Sequence, residues 1–125
     1  MTDDATSGLV VSLAKSFISL MNGLEPERRR AWFRFQATAG SAEAKASYQT
    51  DAHVALVDAV AHKAFFHPAI EQGRDLRAAS GREQVVFLLT VSNDFNYQID
   101  FEYEDLTRWR ISKLGGATGI PAGVQ

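Results

Sequence analysis

The stretch EQVVFLLTVSNDFNYQIDFEYEDLTRW, residues 83–109, is the most strongly patterned part of the chain. Residues 85–91 alternate with a period of two, and the alternation resumes along residues 97–103 after the polar break Ser92-Asn93-Asp94. This period places successive side chains on opposite faces of a sheet. Because Asn and Asp tolerate turn geometry, the two runs predict an antiparallel hairpin.

The two predicted strands differ in what their faces carry. The first is apolar on nearly both faces, as expected of a central strand. In the second strand, Tyr97, Ile99, Phe101 and Tyr103 alternate with Gln98, Asp100, Glu102 and Glu104. The aromatic face must pack on a core, whereas the acidic face must meet water or a basic partner.

The N-terminal half contains a predicted helix and a second predicted hairpin. Apolar residues recur at three- and four-residue spacing over residues 9–21, which predicts an amphipathic helix with Ser7 as N-cap and Gly23 as its C-terminal stop. Alternation then predicts strands over residues 31–37 and 44–49. The break at Gly40-Ser41 makes these two strands a hairpin.

The middle of the chain predicts a helix in two pieces. Asp51 can cap a helix that begins near Ala52, and Pro68 ends or kinks it because proline donates no backbone hydrogen bond. A second piece runs from Pro68 to Ala79 and stops at Ser80-Gly81. The predicted buried face of the first piece consists of Val54, Val57, Val60, Ala61 and Ala64.

Helices that separate two strand pairs predict an α+β domain, in which helices cover one face of an antiparallel sheet of about four to five strands. Residues 1–114 form this single domain, and the glycine-rich residues 115–125 are predicted to be a flexible tail. The predicted inner face of the sheet holds Phe33, Phe35, Tyr48, Phe87 and Phe101 or their neighbours. The predicted outer face carries Arg34, Gln36, Asp100 and Glu102.

Composition narrows the possible functions. A net charge of −2 and a pI near 5.9 argue against nucleic-acid binding by phosphate neutralisation. The chain has no cysteine, so thiolate catalysis and disulfides are excluded. The acidic start, Met-Thr-Asp-Asp, lacks the basic region of a signal peptide, and no continuous apolar run approaches the roughly 18 residues that span a membrane. A soluble cytoplasmic protein is expected.

Catalytic and metal-binding motifs have little support in the sequence. His53, His62 and His67 lack ligand spacing, and neither G-x-S-x-G nor G-x-G-x-x-G occurs. Asp100 and Glu102 could act as general acid and base, but a catalytic carboxylate usually needs a desolvated pocket, and these two lie on the face opposite the aromatic residues, which is expected to be exposed. We therefore expect no enzyme, no cofactor and no metal.

The densest basic cluster is Arg28-Arg29-Arg30. This cluster could be a patch that binds nucleic acid, or it could be a solvent-exposed segment that leads into the following strand. Three arginines are too few for strong phosphate binding, which favours the solvent-exposed segment.

An acidic segment follows the central strand. Five acids, Asp94, Asp100, Glu102, Glu104 and Asp105, lie between Asn93 and Thr107 with no lysine or arginine among them. They form either a solvated face or edge that resists aggregation, or a recognition surface for a basic partner. The sequence alone leaves both interpretations open.

Three other arrangements remain open. A partner could bind the first hairpin through Trp32 and Arg34 instead of the acidic strand. A curved sheet could form a ligand-binding or isomerase-like cup lined by Trp32, Tyr48 and Tyr97. The chain could also form a structural homodimer that pairs sheet edges.

The segment FNYQIDFEYED, residues 95–105, with Trp109 just after it, resembles the C-terminal signature of the YezG-like immunity proteins. These antitoxins are encoded beside polymorphic or contact-dependent toxins in bacteria. In the family the second strand of a hairpin reads aromatic–acid–aromatic and ends in Tyr-acid-acid, with a tryptophan nearby. The order of elements over residues 9–111 is also similar.

The resemblance implies a non-enzymatic inhibitor whose partner is a cognate toxin C-terminal domain. Such an inhibitor would bind that domain and block its active site. Many of these toxins are nucleases with basic clefts, so the resemblance implies that Asp100, Glu102 and Glu104 occupy phosphate positions. Neither nucleic acid nor a membrane is expected as a partner.

Overall fold

Two helices pack on one face of a five-stranded sheet in a computed structural model that describes residues 3–94 and 96–124 and the side chains from Thr6 onward. The elements in chain order are α1 (Asp3–Leu24), β1 (Arg30–Ala37), β2 (Ala42–Gln49), β3 (Val54–Leu56), α2 (Lys63–Ser80), β4 (Val85–Ser92) and β5 (Tyr97–Glu102). A short 3-10 turn, Leu114–Gly116, follows.

The sheet has the strand order β3-β2-β1-β4-β5, and every neighbouring pair is antiparallel. Both predicted hairpins form, and β1 and β4 join them through the register Phe35↔Phe87 and Phe33↔Leu89. The β4–β5 register continues this row with Phe87↔Phe101. The predicted α+β class with an antiparallel sheet is therefore confirmed.

The core between the sheet and the helices is filled by interlocking phenylalanine rings. Phe33 of β1 lies 5.4 Å from Phe65 of α2 and 5.9 Å from Phe17 of α1, measured between ring centroids. Phe35 stacks on Phe87 at 5.1 Å. Each such burial stabilises the fold by about 1.5–3 kcal/mol, so the aromatic alternation of the strands holds both helices to the sheet.

The prediction of a helix from Ala52 is wrong. Val54–Leu56 form the edge strand β3, paired to β2 through Ala55↔Tyr48. The Asp58 carboxylate then accepts hydrogen bonds from the backbone N–H groups of Val60 and Ala61 and so holds a turn before α2. Three- and four-residue spacing of small apolar residues thus occurred here without a helix.

Helix α2 begins at Lys63 and continues through Pro68, so proline does not divide it into two pieces. Phe65, Phe66 and Ala69 are buried on either side of this proline, and tertiary packing outweighs the missing backbone hydrogen bond. The predicted stop is confirmed, because Gly81 adopts the left-handed conformation, with φ 72°, that ends the helix.

The outer face of the sheet is covered, which differs from the predicted solvent-facing surface. Trp32, Val86 and Leu88 project from the strands and form a second buried cluster with Trp109 and Ile111 from the segment after β5. Leu106, Ile120 and Val124 pack against this cluster. The sheet therefore lies between a helical layer and an irregular C-terminal layer, which we call the C-terminal cover (residues 104–124).

The predicted flexible tail, residues 115–125, belongs largely to this cover. Pro121 is buried, and backbone hydrogen bonds join Gly119 N–H to the Ser112 carbonyl and Ala122 N–H to the Arg110 carbonyl. Gln125 lies outside the described residues. Glycines allow the reversals of this segment, since Gly116 and Gly119 have φ of 85° and 94°.

Helix α1 has the length and composition of a membrane span over Thr6–Leu24. Signal sequences and core helices of globular domains meet the same criterion. In this fold Leu13, Phe17 and Met21 of α1 are completely buried against the phenylalanine core. One face of α1 therefore packs on the core of the small α+β domain, while most of the Thr6–Leu24 segment is not buried.

Candidate partner-binding surface

Strand β5 forms one edge of the sheet and carries Asp100 and Glu102, whereas Asp94 precedes the strand and Glu104 and Asp105 follow it. Ser92 N–H donates to the Asn96 carbonyl, so Ser92 and Asn96 form a hydrogen-bonded pair. Along an antiparallel register, such pairs alternate with pairs that exchange no hydrogen bond. The backbone N–H and C=O groups of Tyr97, Ile99 and Phe101 therefore point away from β4. Over the described part of the chain no strand pairs with this edge, which leaves it open to another chain.

The Glu102 carboxylate forms its hydrogen bonds within the turn that follows β5. Its Oε2 accepts hydrogen bonds from the backbone N–H groups of Glu104 at 3.0 Å and Asp105 at 3.1 Å. Its Oε1 accepts a hydrogen bond from Arg108 Nη1 at 2.8 Å. The bond from Arg108 and then the two backbone bonds lower the pKa of the Glu102 carboxyl. Glu102 thus fixes the start of the C-terminal cover.

Asp94 and Asp105 also serve local turns. Asp94 accepts hydrogen bonds from the Ser92 hydroxyl and the Asn96 side-chain amide, and the first of these is the main cause of its lowered pKa. Asp105 accepts hydrogen bonds from the hydroxyl and the backbone N–H of Thr107, at 2.6 and 2.9 Å, and these lower its pKa. Both carboxylates shape the chain on either side of β5.

Asp100 and Glu104 are the acids of this segment that remain open to a partner. Asp100 is half-buried on the outer face, and its Oδ2 accepts one hydrogen bond, from the Gln98 amide at 2.9 Å. Glu104 is exposed, and its carboxylate accepts no hydrogen bond from any residue within 6–94 or 96–124. Together with the free edge of β5, these two carboxylates define the β5 edge surface.

Trp32 and Arg34 are not accessible to a partner, which corrects their predicted role as surface contacts. Trp32 is 0% exposed and Arg34 is 4% exposed, because the C-terminal cover lies over them. Arg34 Nε and Nη2 donate to the carbonyls of Arg108 at 2.8 Å and Leu106 at 2.6 Å. Burial is the main cause of the lowered pKa of Arg34.

Arg34 therefore holds the C-terminal cover to the sheet, a role that the sequence analysis missed. The signal was present in the apolar residues Leu106, Ile111 and Ile120, which need a surface to cover. Their irregular spacing matches neither a helix nor a strand, so periodicity could not reveal it.

The proposed ligand cup is not formed by the residues predicted to line it. Trp32 lies on the outer face, whereas Tyr48 packs against the phenylalanine core on the inner face. Tyr97 is exposed at the edge. Across the described residues there is also no group of three side chains that could hold a metal ion.

Comparison with known proteins gives no family assignment. No protein-family model matches the chain, and no curated protein matches it either.

Proposed function

We propose that this chain is an immunity protein that binds a cognate bacterial toxin domain, such as a nuclease, and blocks its active site without catalysing a reaction. The β5 edge surface is the observation that carries this proposal. It offers unpaired backbone groups beside the outward carboxylates of Asp100 and Glu104. The resemblance of residues 95–105 to YezG-like immunity proteins supplies the class of partner.

A basic partner suits this edge for two physical reasons. Backbone groups of an edge strand can pair with an extended segment of another chain, as in β-strand addition. Carboxylates beside that edge attract a basic cleft and accelerate encounter, and these exposed contacts weaken with salt. Glu102 would contribute through the geometry of the turn rather than by direct contact.

Charge reversal at the β5 edge surface tests the proposal. With the toxin domain encoded beside this chain as the partner, Asp100→Lys with Glu104→Lys is expected to raise Kd about tenfold to a hundredfold. The loss should shrink at high salt. Isothermal titration at two salt concentrations measures both effects.

The matched control is Glu71→Lys with Asp75→Lys, which makes the same change in net charge at two exposed acids on helix α2. This control should bind with wild-type affinity. Equal losses in both double variants would show that net charge matters and the β5 edge does not. Unchanged affinity in the Asp100/Glu104 variant would refute the proposed surface.

A cytoplasmic location accompanies this proposal, since an immunity protein must meet the toxin domain where that domain acts. The absence of cysteine is compatible with a reducing compartment. In this function the chain requires no cofactor and contacts neither nucleic acid nor a membrane.

A homodimer through the opposite sheet edge is a second candidate. Leu56 and Val60 are 45% and 73% exposed beside β3, next to an apolar hollow whose lining includes Ala46, Val57 and Phe66. Thr50 N–H bonds the His53 carbonyl and Val57 N–H bonds the Ala46 carbonyl. The backbone groups of Val54 and Leu56 therefore point outward, toward a second copy.

Sedimentation velocity over a concentration series tests this dimer. If the β3 edges pair, Val60→Asp should shift the protein to monomer, because a carboxylate in an apolar contact loses its hydration. The control is Val11→Asp, because Val11 is an exposed apolar residue on a different element, α1. This variant should leave the sedimentation unchanged. A wild-type monomer at all concentrations would exclude the dimer.

A further inference from the structure

Three arginines near the sheet allow a direct comparison of how each guanidinium is used. In arginine, Nε–H and one N–H of Nη2 point the same way and form a two-pronged edge. Arg34 uses this edge for the carbonyls of Arg108 and Leu106. Arg30 uses it for Gln49 Oε1, with Nε at 3.2 Å and Nη2 at 3.0 Å. In both, the edge is filled by oxygen atoms.

The same edge of Arg28 is empty. Arg28 is 1% exposed, and its Nη1 donates to Asn22 Oδ1 at 3.1 Å and to the Glu25 carbonyl at 3.3 Å, which anchors it to the end of α1. Its Nε and Nη2 are buried, and neither has a hydrogen-bond partner among residues 6–94 and 96–124. A buried charged group with unmade hydrogen bonds costs free energy that an oxygen ligand would recover.

Arg28 also lines a hollow at one end of the sheet, while its Nε and Nη2 atoms are covered by protein. Arg28 lines this hollow together with Pro26, Glu27, Arg29, Asp51 and Asn93. Arg29 and Asp51 form an ion pair at 3.6 Å, and their side chains are 65% and 91% exposed. Such an exposed pair contributes little stability, so both side chains can change conformation when a ligand enters the hollow.

We propose that the Arg28 edge and this hollow form a binding site for a single carboxylate group. The two N–H groups of the edge match the two oxygens of a planar carboxylate in a bidentate pair. Asp51 and Glu27 add negative charge nearby, which disfavours a doubly charged phosphate relative to a singly charged carboxylate. This assignment does not depend on the proposed function.

The carboxylate can come from a small free acid or from a residue carried by a protein. Both sources present the same carboxylate group to Arg28, and the affinity for small acids distinguishes them. A small acid for which the site is built should saturate it well below 1 mM, and a panel of acetate, succinate and N-acetyl-aspartate amide should then differ in affinity. Equal, weak saturation by all three indicates a carboxylate that is delivered on a larger partner.

The first test observes the wild-type protein directly. The Nε–H resonance of Arg28 is followed by nuclear magnetic resonance while sodium acetate replaces sodium chloride at constant ionic strength. A saturable downfield shift of this resonance, with those of Arg30 and Arg34 unmoved, is the expected result. No shift, or equal shifts of all three, would overturn the site.

A variant pair gives the second test. Arg28→Met removes the guanidinium and keeps an apolar side chain of similar length, and acetate affinity should fall at least about tenfold. Arg29→Met changes the same hollow without touching the buried edge and should keep affinity within about threefold. Equal losses in both variants would show non-specific attraction to positive charge and would refute the assignment. If Arg28→Met fails to fold, the Nε–H resonance of Arg28 in the wild-type protein is by itself the test of the site.

Discussion

Gly73 shows how one residue sets the distance between a helix and the sheet. A Cβ atom added there would lie 2.5 Å from Cε1 of Phe35, whose side chain is completely buried. Gly73→Ala should improve helix propensity by about 1 kcal/mol but cost about 1–3 kcal/mol in overpacking. Because Phe35 also stacks on Phe87, we expect a net loss of stability in urea unfolding.

The control for this prediction is Gly8→Ala, in α1, where no atom lies within 4 Å of the added Cβ. Its stability should rise by up to about 1 kcal/mol. A gain of similar size at Gly73 would mean that α2 can move away from Phe35 at no cost, contrary to the tight packing.

At the level of single residues, the sequence identified the acidic segment but not the uses of its members. Glu102 and Asp100 have the same alternation in β5, yet Glu102 is bound by Arg108 and two backbone N–H groups while Asp100 stays open. The difference arises in the turn after Glu102, whose geometry no strand periodicity describes. The unfilled edge of Arg28 depends in the same way on three-dimensional contacts.

The C-terminal cover behaves as an element of the fold, and its removal tests that view. Ile120 and Val124 pack against the cluster around Trp32. In a Trp109→Phe background, where Trp32 is the remaining tryptophan, deleting residues 115–125 should increase acrylamide quenching of its fluorescence. Stability should fall by about 1–3 kcal/mol through lost apolar burial.

The control is Leu114→Ser, because this side chain is 85% exposed and should contribute little. The glycine-rich composition predicts instead a flexible tail, for which deletion would leave both quenching and stability unchanged. The two expectations are therefore opposite, and one deletion decides between them.

At the level of elements, long alternating runs predicted strands correctly, whereas the structure of short or irregular segments could not be predicted from the sequence. The hairpins of β1 with β2 and of β4 with β5 follow from long alternating runs. The three residues of β3 are too few to show a period, and tertiary pairing with β2 decided their state. The cover could not be predicted because its contacts are with the sheet and not with its own neighbours in sequence.

The whole molecule presents two different sheet edges. The β3 edge is short and apolar, with Leu56 and Val60 exposed, whereas the β5 edge is longer and carries Asp100 and Glu104. With one face under helices and the other under the C-terminal cover, both faces of the sheet are occupied. A second chain that pairs with the sheet would therefore have to use an edge, so the two edge variants test the two proposed interfaces.

Stability should depend on pH through the carboxyls that hold the turns around β5. Hydrogen bonds lower the pKa of Glu102, Asp94 and Asp105 in the folded protein. A carboxyl with a lowered folded pKa stabilises the fold above its unfolded pKa, about 4, and this contribution is lost as pH falls through the folded value. The fold should therefore lose stability below about pH 4 and not between about pH 5 and pH 8 from these groups.

Glu102→Gln isolates the contribution of the Glu102 carboxylate to this pH dependence of stability. The amide cannot form the charged bond to Arg108, so the variant should be less stable than wild type near neutral pH. It should lose less on acidification, so the two curves of urea midpoint against pH should converge below about pH 4. Glu83→Gln, at an exposed position in the loop before β4, should follow the wild-type curve throughout. A constant offset between Glu102→Gln and wild type would show that the contribution of Glu102 is one of shape and not of charge.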